Sequence, residues 1–352
     1  MVIDIVKVIV PAASAFFIGI AITPLLTHYL YKYKAWKSTP GKVALDGKEA
    51  VEFNKIHKER EGHTPRMGGI VIWGSVVITT LAVWGVSKFF PTETTTKLDF
   101  LSRDQTWIPL FTLVFGGVVG FVNDVLDIRG KTNGLALSKR LLAITAMATF
   151  IGWWFFEKLE ITAVGIPFDG AIDIGLLIIP FFVLTVLALY ASGVIDGIDG
   201  LSGGVFVTIF LAYAGIAFYQ QQINLAAFSA TVAGAILAFL WFNIPPARFW
   251  MTETGTMSLT LTIVVIAFMT DSLGGGYGIA VLPIIAFLLV ATVASVIIQT
   301  LSKKFRGKKV FKVAPLHHHF EAIGWPGYKV TMRYWILSIV FALLGGIIAL
   351  AG

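Results

Sequence analysis

The chain has 352 residues, 57% hydrophobic and 13% charged, with a mean hydropathy of +0.83. A soluble domain carries about twice that share of charge, so the composition excludes a water-covered globular protein and indicates one polytopic membrane domain over 1–352. A net charge of +7 and a pI near 9.4 would suggest nucleic acid in a soluble protein, whereas the absence of cysteine excludes disulfides, thiolate metal sites and a cysteine nucleophile.

Apolar windows of roughly 20 residues, the length that crosses a bilayer, predict ten helical spans. They lie near 8–30, 67–88, 108–123, 141–157, 173–190, 204–219, 225–242, 256–271, 279–300 and 333–350. The first is not a cleavable signal, because Asp4 precedes Lys7 and the apolar run is too long. The fifth contains Pro180, where a kink is expected. Ten spans put both termini on one side. The segments after the odd-numbered spans hold 22 of the 27 Lys and Arg residues; Lys7, Lys88, Lys97, Arg103 and Lys158 make up the other side. The excess of positive charge on the cytoplasmic side makes the odd-numbered loops cytoplasmic and both termini external. No internal repeat, heptad or low-complexity tract is present.

Charge inside lipid is costly and marks function, and the span centres carry almost none. Polar clusters gather instead at the predicted cytoplasmic helix ends. His63-Thr64-Pro65-Arg66-Met67-Gly68-Gly69 precedes span 2, either as a helix start with a basic anchor or as a ligand contact. Gly120-Phe121-Val122-Asn123-Asp124 ends span 3, where Asp124 is a solvated helix end or a ligand of a hard cation.

Asp196-Gly197-Ile198-Asp199-Gly200-Leu201-Ser202 follows span 5. Its acids are three apart and share a face if the segment is helical. The loop has no Lys or Arg to neutralise them, which a tight turn tolerates and which a cation or a catalytic role explains. Asn243 to Thr256, with Arg248, Phe249, Trp250 and Glu253, leads into span 8. There Glu253 is a favourable partner of the helix dipole or a ligand, and Trp250 an interfacial belt residue or a stacking surface for a base. Pro315-Leu316-His317-His318-His319-Phe320-Glu321 follows span 9. Adjacent histidines on a helix do not ligate one metal, so substrate contact is favoured over zinc.

In this order these motifs resemble the phospho-N-acetylmuramoyl-pentapeptide transferase family, a branch of the polyprenyl-phosphate N-acetylhexosamine-1-phosphate transferases. The resemblance runs through Thr-Pro-x-Met-Gly-Gly, Gly-Phe-x-x-Asp, Asp-Gly-x-Asp-Gly-Leu, Phe-Asn-x-Pro-Pro-Ala, Met-x-acid-x-Gly and Ala-Pro-Leu-His-His-His-Phe-Glu. It implies an all-α integral membrane fold of about ten helices in a bacterial inner membrane. It implies Mg2+, an undecaprenyl phosphate acceptor, a UDP-N-acetylmuramoyl-pentapeptide donor, and lipid I and UMP as products. It implies Glu253 as the metal ligand, Asp124, Asp196 and His317 as catalytic, and Asp199, Asn243, Trp250 and His318 as nucleotide- or donor-binding. The partners expected are the two substrates and the bilayer, with a homodimer allowed and no nucleic acid.

The chain departs from the family pattern at six places. Asn123 stands for a first aspartate, Asp127 for a lysine, and Tyr190 and Gly193 for asparagines. Glu253 stands for the metal-binding aspartate, and Trp250 replaces a phenylalanine that stacks on uracil. A transferase of another UDP-sugar and a non-catalytic wall-synthesis partner are the alternatives. A transporter is disfavoured, since its site would lie at the bilayer midplane, often between repeats.

Overall fold

The computed structural model describes residues 1–37, 41, 54, 59, 61–102, 104–130, 134–271 and 273–352. Seven of the basic residues counted above (Lys42, Lys48, Lys55, Lys58, Arg60, Arg103 and Lys131) lie outside them. In chain order the helices are α1 (Val2–Lys32), α2 (Ile70–Phe89), α3 (Glu93–Leu98), α4 (Trp107–Ile128) and α5 (Leu137–Lys158). They continue with α6 (Ile178–Tyr190), α7 (Leu201–Tyr219), α8 (Ile223–Asn243), α9 (Thr252–Met269), α10 (Leu282–Ile285), α11 (Phe287–Arg306), α12 (Leu316–Ala322) and α13 (Gly327–Ala351). Among the described residues the sheet is one antiparallel hairpin, β1 (Ala163–Ile166) with β2 (Gly170–Asp173), pairing Ala163 with Asp173 and Ile166 with Gly170.

Nine helical segments among the described residues are long and apolar enough to cross a membrane, so this is an all-helical, multi-pass membrane protein. The tenth expected span exists as α5, a 22-residue helix, but falls outside that set. Its ends carry Lys139, Arg140, Glu157 and Lys158, which shorten its apolar stretch. Pro180 lies in the first turn of α6, after a 3-10 turn over Gly175–Leu177, where a missing N–H breaks no helix bond.

The centre of the bundle is α8 and α9, 89% and 94% buried along their apolar windows, while α1 and α13 are 17% and 28% buried and form the outside. α1 lies along α8, α4 along α9 and α13 along α7. A helix so enclosed must satisfy its polar side chains internally. Along α9 the hydroxyls of Thr256, Thr260 and Thr262 donate to the carbonyls of Thr252, Thr256 and Ser258 at 3.2, 2.8 and 2.7 Å. Every residue of α9 except Glu253 is buried.

α4 reaches α9 through glycine, as membrane helices do where backbones touch. A side chain at Gly116 would meet Ser258 Cα at 2.8 Å, and one at Gly120 would collide with the Glu253 carbonyl. This contact sets the C-terminal end of α4, with Asp124, beside the start of α9. The segments around Arg66, Asp124, Asp196, Asn243 and His317 all meet at this end of the bundle. The opposite end is closed separately: Asp271 accepts from the backbone N–H groups of Gly165 and Ile279 at 2.7 and 2.9 Å, which pins the hairpin there.

Two outcomes follow from this packing. Gly116→Ala forces backbone against backbone and destabilises the protein by about 1–3 kcal/mol. Gly346→Ala, where a side chain meets nothing within 4 Å, leaves the thermal melt in detergent unchanged; equal melts for the two variants refute the close-contact account. Because the chain lacks cysteine, topology is testable at two exposed positions. An impermeant maleimide labels Thr94→Cys in intact cells and labels Lys309→Cys only after the membrane is opened. The reverse pattern refutes the orientation expected from the charges.

Candidate functional site

The site is built around the first residue of α9. Thr252 has φ of +53°, and Met67, which faces it, has φ of +67°. A side chain in the left-handed region costs about 1–3 kcal/mol and persists only where its surroundings fix it. Here three elements do. The Thr252 N–H donates to Asp196 Oδ2 at 2.8 Å, its hydroxyl donates to Asp124 Oδ2 at 2.5 Å, and the Met67 N–H donates to that hydroxyl oxygen at 3.1 Å. Asp124 Oδ2 also accepts from the Thr254 N–H and hydroxyl at 2.9 and 2.6 Å. Asp124 is fully buried, so these donors replace the water a carboxylate would otherwise hold.

The entry to α2 is strapped to the same place. The Trp250 N–H donates to the Pro65 carbonyl at 2.9 Å, and the N–H groups of Gly68 and Gly69 donate to the carbonyls of Trp250 and Met251 at 2.8 and 3.2 Å. Arg66 is thereby held at the rim, with Nη1 2.6 Å from Asp127 Oδ2. A second pair lies opposite: Arg140 Nη1, from the start of α5, is 2.6 Å from Glu253 Oε1. Glu253 keeps 28% of its side chain exposed, so the one residue of α9 that reaches solvent is an acid.

The segment before α7 is not helical at its acids. A 3-10 turn over Ala191–Ile195 runs into Asp196, and α7 begins after Gly200, whose φ is +75°. Asp196 and Asp199 therefore serve different partners rather than one face. Asp196 Oδ1 accepts from the Ser202 hydroxyl at 2.7 Å. Asp199 accepts from the Ala247 N–H at 3.0 Å and from the Trp250 indole N–H at 3.1 Å. Asn243, buried, receives the Gly200 N–H at 2.9 Å and donates to the Phe249 carbonyl at 2.9 Å. It braces the Asp199 loop against the Trp250 loop.

Two of the three histidines turn inward and the third does not, since each residue advances about 100° round a helix. His317 and His318 are buried, with ring centroids 4.3 Å apart. A side chain at Gly197 would meet the Nε2 atoms of His318 and His317 at 2.5 and 2.6 Å, so both imidazoles lie against the Asp196–Asp199 loop. His318 Nδ1 is 2.7 Å from Glu321 Oε2. His319 points away and accepts from the Lys312 N–H at 3.2 Å.

All eight expected site residues thus lie at one end of the bundle, in two linked groups: Asp124, Asp196 and Glu253 at the start of α9, and Asp199, Asn243 and Trp250 beside it. The imidazoles of His317 and His318 border the connecting loop. Neither the Arg140–Glu253 pair nor Thr252 as the shared donor is legible in the sequence. A basic residue at a span end and a threonine in a polar run carry no local signature.

With this geometry established, similarity to known proteins is informative. The family described as "Glycosyl transferase family 4" matches residues 106–271, a stretch from the start of α4 to the end of α9. The phospho-N-acetylmuramoyl-pentapeptide-transferase of Anoxybacillus flavithermus is 35% identical over 341 residues, 95% of each chain. That of Bacillus cytotoxicus is 34% identical over 347 residues, 96% of each chain, and that of Bacillus subtilis 32% over 337 residues, 94% of each. Similarity of this extent, end to end, establishes that the chain belongs to the phospho-N-acetylmuramoyl-pentapeptide-transferase family of glycosyl transferases.

Proposed function

We propose that the protein transfers phospho-N-acetylmuramoyl-pentapeptide from its UDP-linked donor to undecaprenyl phosphate at the cytoplasmic face of a bacterial inner membrane, yielding lipid I and UMP. The observation that carries this reading is the convergence of Asp124, Asp196 and Glu253 on the first turn of α9, at the end of the bundle where a lipid phosphate and a soluble nucleotide meet. In the reaction an oxygen of the lipid phosphate attacks the sugar-proximal phosphorus. The P–O bond to UMP breaks, and UMP leaves with the electron pair. Such chemistry depends on positioning and charge neutralisation rather than on covalent work by the protein.

The donor set accords with Mg2+. Glu253 offers a hard oxygen ligand at the rim, and Mg2+ is usually held by one or two carboxylates plus substrate phosphates. Bound there, Mg2+ would neutralise the donor diphosphate. Arg140 steadies the Glu253 carboxylate at the rim. Asp124 and Asp196 act by fixing Thr252, which sets the position of Glu253; direct activation of the acceptor by Asp124 would require its carboxylate to leave Thr252 and Thr254. Asp199 and Trp250, braced by Asn243, form the nucleoside side, and His317 and His318 face the donor across Gly197.

The direct test is UMP release and lipid I formation by purified protein in vesicles. Activity requires Mg2+, stops with EDTA and returns on readdition. Glu253→Gln lowers turnover by at least about 10²-fold, a loss of roughly 2.7 kcal/mol of barrier stabilisation. Wild-type turnover of that variant at limiting Mg2+ removes Glu253 from the metal.

The two loop aspartates separate by role. Asp199→Asn, which weakens the hold on Ala247 and Trp250, lowers donor affinity by about tenfold with turnover at saturation retained. Asp196→Asn lowers turnover with donor affinity retained, because it loosens Thr252. Calorimetry with the donor, beside a thermal melt, decides; the same defect in both variants refutes the division.

A further inference from the structure

Five acids, Asp124, Asp127, Asp196, Asp199 and Glu253, surround this end of the bundle, and a nucleotide donor would add a negatively charged diphosphate to them. Like charges so close disfavour one another, so an anionic ligand needs cations built into the site. Arg66 lies within electrostatic reach of both Asp124 and Glu253. Its backbone is fixed by four contacts: its own N–H to the Ala35 carbonyl at 2.7 Å, and the bonds of Pro65, Gly68 and Gly69 to the Trp250–Met251 segment. Asp127 orients the guanidinium at 2.6 Å, and 19% of the Arg66 side chain remains exposed.

A guanidinium carries five N–H donors. Asp127 engages Nη1, while the Nε–H is buried without a hydrogen-bond partner among the described residues. The side chain is therefore oriented by the protein and left with donors in excess of its acceptors. A planar cation in that state suits a phosphate oxygen pair better than a second carboxylate. Resting on the transferase reading above, we propose that Arg66 is a binding residue for the donor diphosphate, with Asp127 as the group that aims it.

A structural ion pair and an aimed phosphate ligand make opposite demands on the two partners. If the pair only holds α2 to α4, removing either side loosens both helices and donor affinity falls in both variants. If Arg66 binds phosphate, Arg66→Ala lowers affinity for the UDP-linked donor by about ten- to a hundredfold. Asp127→Asn then raises it, because the amide oxygen still accepts from the guanidinium and aims it, while the negative charge that competes with the phosphate and repels it is gone. Calorimetry with the donor and with UDP, at low and high NaCl, reads both effects. The affinity of the wild type falls more steeply with salt than that of Arg66→Ala.

Arg66→Gln, which keeps the length and part of the hydrogen bonding, serves if the alanine variant does not fold; it shows the same loss and the same flattened salt dependence. Unchanged affinity in the folded Arg66 variant, parallel losses in Asp127→Asn, or failure of both Arg66 variants to fold overturns the proposal. Lipid I formation by the wild type is measured alongside. If none forms yet UDP binding depends on Arg66, the transferase reading falls and the phosphate site stands. If lipid I forms and Arg66→Ala binds donor as the wild type does, the phosphate site falls alone.

Discussion

The left-handed backbone at Thr252 is the constraint on which the rest of the site depends. It turns one N–H toward Asp196 and one hydroxyl toward Asp124, and offers the same hydroxyl oxygen to Met67. Three chain segments that are far apart in sequence are thus tied to a single residue. An ordinary helical start would direct the N–H along the α9 axis and leave the contacts to the two carboxylates unmade. The cost of the strained backbone, about 1–3 kcal/mol, is offset by hydrogen bonds to charged acceptors, each worth more than a neutral one.

The glycines of α4 make that arrangement reachable. Without a side chain at Gly116 and Gly120 the α4 backbone lies directly on α9, and Asp124, one turn beyond Gly120, arrives at the first turn of α9 already within hydrogen-bond distance. Packing and chemistry are therefore one problem in this protein. In the low-dielectric interior an acid such as Asp124 is stable only with its donors in place, so the helix contact that brings the donors also makes the acid possible. The same logic explains the hydroxyl-rich α9, where Thr252 and Thr254 serve Asp124 and Thr256, Thr260 and Thr262 bond to their own helix.

The helices were legible in the sequence because bilayer thickness and helix rise fix a length. The clusters were legible because polar residues stood out at the ends of apolar runs. The fold departs from the expectation in small ways with physical causes. α5 is a full-length helix whose charged ends remove it from the clearly apolar set, and Pro180 sits in a first turn instead of kinking a span. The Asp196–Asp199 segment is a turn, so its two acids diverge: one reaches α9 and the other the Trp250 loop.

What the sequence determined by itself is the class of environment and the location of chemistry along the chain: a membrane, helices at known positions, and polar motifs gathered at the connections. These are local properties, set by hydropathy over a window and by the length that spans lipid. The tertiary structure decided the partners. Arg140 meets Glu253 across 113 residues, Thr252 meets Asp124 across 128, and Trp250 meets Asp199 across 51. Such pairs depend on which helices lie side by side in the bilayer. That order is chosen by backbone approach at glycine and by the need to satisfy buried polar groups, and no window along a single helix contains it.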